Sequence, residues 1–194
     1  MKKVLFLTAF VCLLAISAFA QDKKADFSGS WTLDASKSKL DERARIESMT
    51  MTVTQTDKDI KVETATKRLP PPEGMKQGGG NGQGNGTGGG MGMGRGRGFG
   101  GGDGTTVYTL DGKETSIEVE SQMGKIPVKL KADLEKDGKL KLSSSRTFNT
   151  PNGEVSMTTK ESWTLSEDGK TLTVKRDTES PRGTNSSEMV FTKK

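Results

Sequence analysis

The sequence predicts an all-β chain folded as a single antiparallel up-and-down meander barrel of about 8–10 strands. Three observations carry that prediction. Short segments alternate apolar and polar residues with a period of two from Trp31 to Phe191. Gly112, Gly124, Gly138, Gly153, Gly169 and Gly183 fall between those segments, where hairpin turns need them. Two of the turns, moreover, set registers that gather large apolar side chains on one face.

The first strand lies around Trp31. The others follow at approximately 48–56, 59–68, 105–110, 114–121, 126–135, 139–148, 154–166, 170–179 and 186–192. Between strands 1 and 2, the stretch ASKSKLDERARI (35–46) loses the alternation, and Ser38 with Asp41 fits a capping box, so a short helix is predicted there. Between strands 3 and 4, residues 74–104 hold 18 of the 25 glycines. With so few apolar anchors they cannot offset the entropy of ordering, which predicts a disordered Gly-rich loop. A G-x-G-x-x-G match at Gly84, Gly86 and Gly89 has no strand before it and no helix after it, so it predicts no dinucleotide site.

Residues 1–20 have the pattern of a secretory signal peptide: Lys2 and Lys3, an apolar run, then Ala18-Phe19-Ala20. Removal after Ala20 predicts an exported protein, periplasmic or secreted, with no integral membrane span after leader removal. Residues 21–194 then form one barrel domain interrupted by the loop. Of the 30 Lys+Arg, two lie in the leader, leaving 28 against 25 Asp+Glu, a balance that does not predict nucleic-acid binding. The one cysteine, Cys12, is inside the leader, and the chain has no histidine. Ser-His-Asp and Cys-His nucleophile systems and the usual zinc ligand sets are therefore excluded, and neither enzyme activity nor a metal or cofactor is expected.

If Asp168-Gly169 is the two-residue loop of a type I′ hairpin, Leu165 pairs with Leu172, Trp163 with Val174, Glu161 with Arg176 and Thr159 with Thr178. Glu161 and Arg176 thus face inward, opposite each other. A three-residue loop at Lys136-Asp137-Gly138 aligns Leu134 with Leu140, Ala132 with Leu142, Leu130 with Ser144, Val128 with Arg146 and Ile126 with Phe148. Arg146 therefore points inward too, near Met157. Four residues separate Met157 from Glu161, roughly 14 Å of strand and too far for an easy pair. The plain alternatives are an internal ion pair that fixes register for Glu161 and Arg176, and hydration at the rim for Arg146.

At Gly29-Ser30-Trp31 a G-x-W motif opens the first strand, and the chain closes on Glu-Met-Val-Phe-Thr-Lys-Lys. With the exported meander, this resembles the lipocalins and the wider calycin group, and it is similar to small lipocalin-like secreted bacterial proteins in which a stretch like SGSWTLDASKSKL follows the leader. The resemblance implies a tryptophan that closes the barrel base under an arginine from a late strand, here Arg176 or Arg182. It also implies a small molecule held inside.

Because the inward faces carry Thr, Ser, Arg and Glu among the aliphatics, the expected ligand is amphipathic or anionic. Arg146 would hold its head, Glu161 and Arg176 would form a polar floor, and Tyr108, Val128, Leu142, Met157 and Trp163 would form the wall. In an alternative reading the barrel is a display frame, and loop 74–104 contacts an envelope polymer or a partner protein.

Overall fold

In the computed structural model the described residues are 24–41, 44–70, 103–121, 124–150, 153–181 and 183–194. They form ten strands: β1 (Gly29–Leu33), β2 (Ile46–Gln55), β3 (Asp59–Arg68), β4 (Gly104–Thr109), β5 (Thr115–Ser121), β6 (Gly124–Leu134), β7 (Leu140–Thr150), β8 (Gly153–Leu165), β9 (Thr171–Ser180) and β10 (Gly183–Lys193). All neighbours are antiparallel, in the order β4-β3-β2-β1-β10-β9-β8-β7-β6-β5. The sheet curls until β4 comes up against β6, giving a nearly closed barrel in which β4 and β5 stay unpaired with each other. The signal peptide (1–20) and all but Asp103 and Gly104 of the 74–104 segment lie outside the described residues. Gly104 already belongs to β4, and Asp103 Oδ1 accepts the Thr66 N–H.

The inward registers follow the alternation. Leu165 pairs with Leu172, Trp163 with Val174, Glu161 with Arg176 and Thr159 with Thr178, as expected. The turn that sets them is wider than a type I′ loop. Gly169 has φ 66°, whereas the positive φ among described non-glycine residues belongs to Arg45 alone, so Asp168 does not adopt the left-handed conformation that type I′ requires. Instead the Gly169 N–H donates to Ser166 O at 2.9 Å, and Ser166 N–H donates to Thr171 O at 2.9 Å. Both loops centre on the same point of the chain, so widening the turn left these four pairs unchanged.

At Lys136-Asp137-Gly138 the three-residue loop forms as expected, closed by Glu135 N–H to Lys139 O at 2.8 Å, with Gly138 at φ 82°. Pairing there runs from Leu134–Leu140 to Val128–Arg146 and ends before the expected Ile126–Phe148 pair, while on the other edge of β6 Ile126 pairs with Val119.

Among the described residues between β1 and β2, the expected helix does not form. The chain turns at 35–37, and Lys39 then bridges Glu188 of β10 with hydrogen bonds of 2.7 and 3.0 Å. Ser38 Oγ, expected to cap a helix, accepts the Val190 N–H at 2.9 Å. The connection thus adds hydrogen bonds to β10 to the turn bonds within its own backbone, and among its described residues Ala44 is in a 3₁₀ conformation.

One end of the barrel is plugged. Phe27, Trp31, Val53, Ile60, Leu130, Leu140, Trp163, Leu172, Val174, Met189 and Phe191 belong to one continuous buried core. Phe27 meets Trp163 edge-on with ring centroids 6.0 Å apart, and its carbonyl accepts the Trp31 indole N–H at 3.0 Å. The cation over Trp31 is the Lys193 ammonium, 5.3 Å from the ring centroid. Arg176 is engaged elsewhere, and Arg182 lies outside the described residues. The G-x-W spacing then has a steric explanation. Gly29 sits at φ 140°, where a Cβ would come within 2.6 Å of Lys193 Cε, so its missing side chain leaves room for the lysine stem that covers Trp31.

Candidate functional site

Along the inward face of β7 to β10, the residue type changes halfway up. The level Leu140–Trp163–Val174–Met189 is apolar. One level higher stand Leu142, Glu161, Arg176 and Ser187, and above those Ser144, Thr159, Thr178 and Asn185. The boundary is made by hydrogen bonds. Arg176 Nε donates to Glu161 Oε1 at 2.7 Å, and Trp163 Nε1 donates to Glu161 Oε2 at 2.7 Å. Both oxygens of Glu161 are thereby occupied, and only 18% and 12% of the Arg176 and Glu161 side chains are exposed. A charge-assisted bond of that length in a mostly dry setting holds the guanidinium in one orientation.

Only Nε of Arg176 is used in this pair, and its two terminal nitrogens have no partner among the described residues. Arg176 is also one of the residues lining a cavity of about 220 Å³ at the open end, whose polar lining is Asp41, Arg68, Arg176, Thr178, Asn185 and Ser187. Leu40, Ala44 and Ile46 give it one apolar wall. Asn185 Nδ2 donates to Asp41 Oδ2 at 2.7 Å, and Arg68 Nη1 donates to the Ala44 carbonyl at 2.6 Å, so the connection from β1 is tied to both sides of the mouth.

Of the eight residues expected at the site, Arg176 alone lines this cavity. Val128, Leu142 and Trp163 are buried in the common core. Tyr108 is 8% exposed and also belongs to that core, close enough to Glu161 and Arg176 to feel their charges. Burial, reinforced by Glu161 and partly offset by Arg176, pushes its phenol pKa well above the ordinary value.

Arg146 pairs in register with Met157, and its guanidinium donates to Met157 Sδ at 3.0 Å while lying 5.5 Å from the Phe148 ring centroid. It has no carboxylate partner among the described residues, and burial pulls its pKa below the ordinary guanidinium value. It does not line the cavity with Arg176.

Asp41, Arg68, Asn185 and Ser187 were not anticipated. Extending the β9–β10 ladder down to the turn before Gly183 would have placed Asn185 and Ser187 on the inward face. Nothing local in the sequence brings Asp41 against Asn185.

A larger depression of about 480 Å³ lies on the outer face, among Lys131, Lys141, Lys160 and Lys175. Lys141 faces Glu135, Lys160 faces Glu179 and Lys175 faces Glu188, at 2.7, 2.8 and 3.8 Å, so most of its charge is cancelled in pairs. Among the described residues, no group of three or more carboxylates comes together as a metal site would require, and no helix is long and apolar enough to cross a membrane.

The geometry defines a class, the nearly closed up-and-down β-barrel with a small polar cavity at one end. No protein-family model matches the chain, and neither the curated proteins nor the solved structures contain a match.

Proposed function

We propose that this protein is an exported, lipocalin-like barrel that binds a small amphipathic or anionic molecule in the open half of its interior, without a catalytic step. The observation that carries the reading is Arg176, half-buried, held by Glu161 through Nε, and part of the lining of the 220 Å³ cavity. A preorganised guanidinium of this kind binds a carboxylate or phosphate with little loss of side-chain entropy. The size of the cavity, below the usual range of about 300–1,000 Å³ for drug-sized ligands, favours a small head group. The packed lower half argues against a long apolar chain, since the space such a chain would take is filled by Phe27, Trp31 and Phe191. The absence of histidine from the chain supports binding over catalysis.

The test pairs mass spectrometry of an organic extract of the purified protein with a tryptophan-fluorescence titration against small amphipathic carboxylates and phosphates. Saturable binding is expected, weakened about tenfold in Arg176→Lys because the planar fork is lost. Lys131→Ala, on the outer face, should bind as the wild type does. An empty extract together with a flat titration rejects the reading.

A further inference from the structure

Arg146 faces inward from β7, and what its guanidinium meets there is a sulfur atom. Nη2 donates to Met157 Sδ at 3.0 Å, across a register that sets the two residues directly opposite each other. The Phe148 ring, with its centroid 5.5 Å from the guanidinium carbon, holds the group from another side. A thioether is a weak acceptor, so a cation drawn partly out of water is poorly served by it.

Met157 also differs from the other described methionines. Met49, Met51 and Met189 are buried in the common core, at 2%, 4% and 2% exposure, whereas Met157 is half-buried. A small oxidant reaches the core sulfurs only when the barrel opens. Met157 needs no such opening.

We infer that Met157 is a site of oxidative modification, which takes one oxygen atom from a hydroperoxide, and that Arg146 receives the resulting sulfoxide. A sulfur lone pair attacks the nearer peroxide oxygen, the S–O bond forms as the O–O bond breaks, and two electrons pass from sulfur to the peroxide. The departing hydroxide takes up the proton left on the transferred oxygen, so the products are the sulfoxide and water. Thioether sulfur has two lone pairs, and the bond from Arg146 engages one of them. The other is left for attack, while the guanidinium charge offsets the negative charge that builds on the departing oxygen.

In an apolar core a sulfoxide is a lesion, because it brings a polar oxygen among side chains that cannot bond to it. Beside Arg146 the outcome reverses: donors that already reach the sulfur transfer to the oxygen bound to it, and a weak bond becomes a charge-assisted one. The oxidised chain therefore keeps its fold. The inference stands apart from the binding function, since neither Arg146 nor Met157 lines the cavity with Arg176.

The experiment treats the full-length mature chain with dilute hydrogen peroxide and follows each methionine by peptide mass spectrometry, with thermal unfolding measured before and after. Met157 should oxidise at least about tenfold faster than Met49, Met51 or Met189, whose reaction waits on opening of the core. The same dose given to Met157→Leu measures what methionines other than Met157 contribute to any change in stability. After that subtraction, the midpoint of the oxidised wild type should stay within about 1 °C of the reduced protein, whereas Arg146→Leu should lose about 3 °C or more because its sulfoxide has no donor. Arg146→Lys, which restores a charged donor, should behave as the wild type does. Oxidation of Met157 no faster than of the core methionines overturns the site. Equal behaviour of the wild type and Arg146→Leu, whether both fall or both hold, overturns the role of Arg146.

Discussion

The two halves of the barrel are built on the same strands with the same alternation, yet they do opposite things with their interior. In the lower half the inward positions are aromatic and aliphatic, and the N-terminal segment adds Phe27 across the base. Gln55 fastens that segment, accepting the Phe27 N–H at 3.0 Å and donating to the Ala25 carbonyl at 2.8 Å. In the upper half the same strands turn Ser144, Thr159, Thr178, Asn185 and Ser187 inward around two arginines. Apolar burial stabilises the first half by about 25 cal/mol per Å². The second also buries Val128 and Leu130, opposite Arg146 and Ser144, but carries the cavity among its polar positions. Stability and binding are thus separated along one axis, with Glu161 and Arg176 at the border.

If that division holds, the largest effect belongs to the base. Trp31 is fully buried, and Trp31→Ala should cost about 3–5 kcal/mol in urea denaturation. A loss near 1 kcal/mol would mean that the base is loosely packed and the contrast between the halves is false.

The border comes next. Arg176→Met leaves Glu161 with only the Trp163 indole, and the expected loss is about 3 kcal/mol, at the lower end for a broken pair because both side chains keep some contact with water. Arg176→Met combined with Glu161→Leu should recover part of that loss, since no charge is then left unpaired. A double variant as unstable as the single one would point to packing rather than charge.

The smallest effect is a matter of pH. Tyr108 is the chain's one tyrosine, so tyrosinate absorbance reports on it alone. Its phenol pKa is raised in the folded state, so below the ordinary value near 10 folded and unfolded chains bind the same proton and stability is unaffected. As pH rises above that value the unfolded chain releases the proton first, and stability falls. Tyrosinate absorbance should therefore rise together with unfolding, and Tyr108→Phe should flatten the alkaline loss of stability. A phenol that ionises near pH 10 in the folded protein would place Tyr108 in water.

Much of this architecture can be read from the residues. Period-two alternation is enough to turn Glu161 and Arg176 toward each other, and it survived an error about the turn because loops of two and of four residues preserve the same pairing. Local sequence could not supply what depends on partners far along the chain. Lys193 covers Trp31 only because β1 pairs with β10, and residues 35–41 leave the helical path because Glu188 and Val190 offer them hydrogen bonds. The cavity lies where those distant pairings meet, whereas Arg146 has an inward register set by nearby hairpins and lies against Met157 and Phe148.

The two tryptophans provide one reporter for each half. Trp163 bonds to Glu161 at the border, and Trp31 bonds to Phe27 in the base. In a proton–nitrogen correlation NMR titration with the small amphipathic carboxylates and phosphates, a saturable shift of the Trp163 indole signal is expected while Trp31 stays fixed. A response at Trp31, or none at either indole across the whole panel, would contradict it.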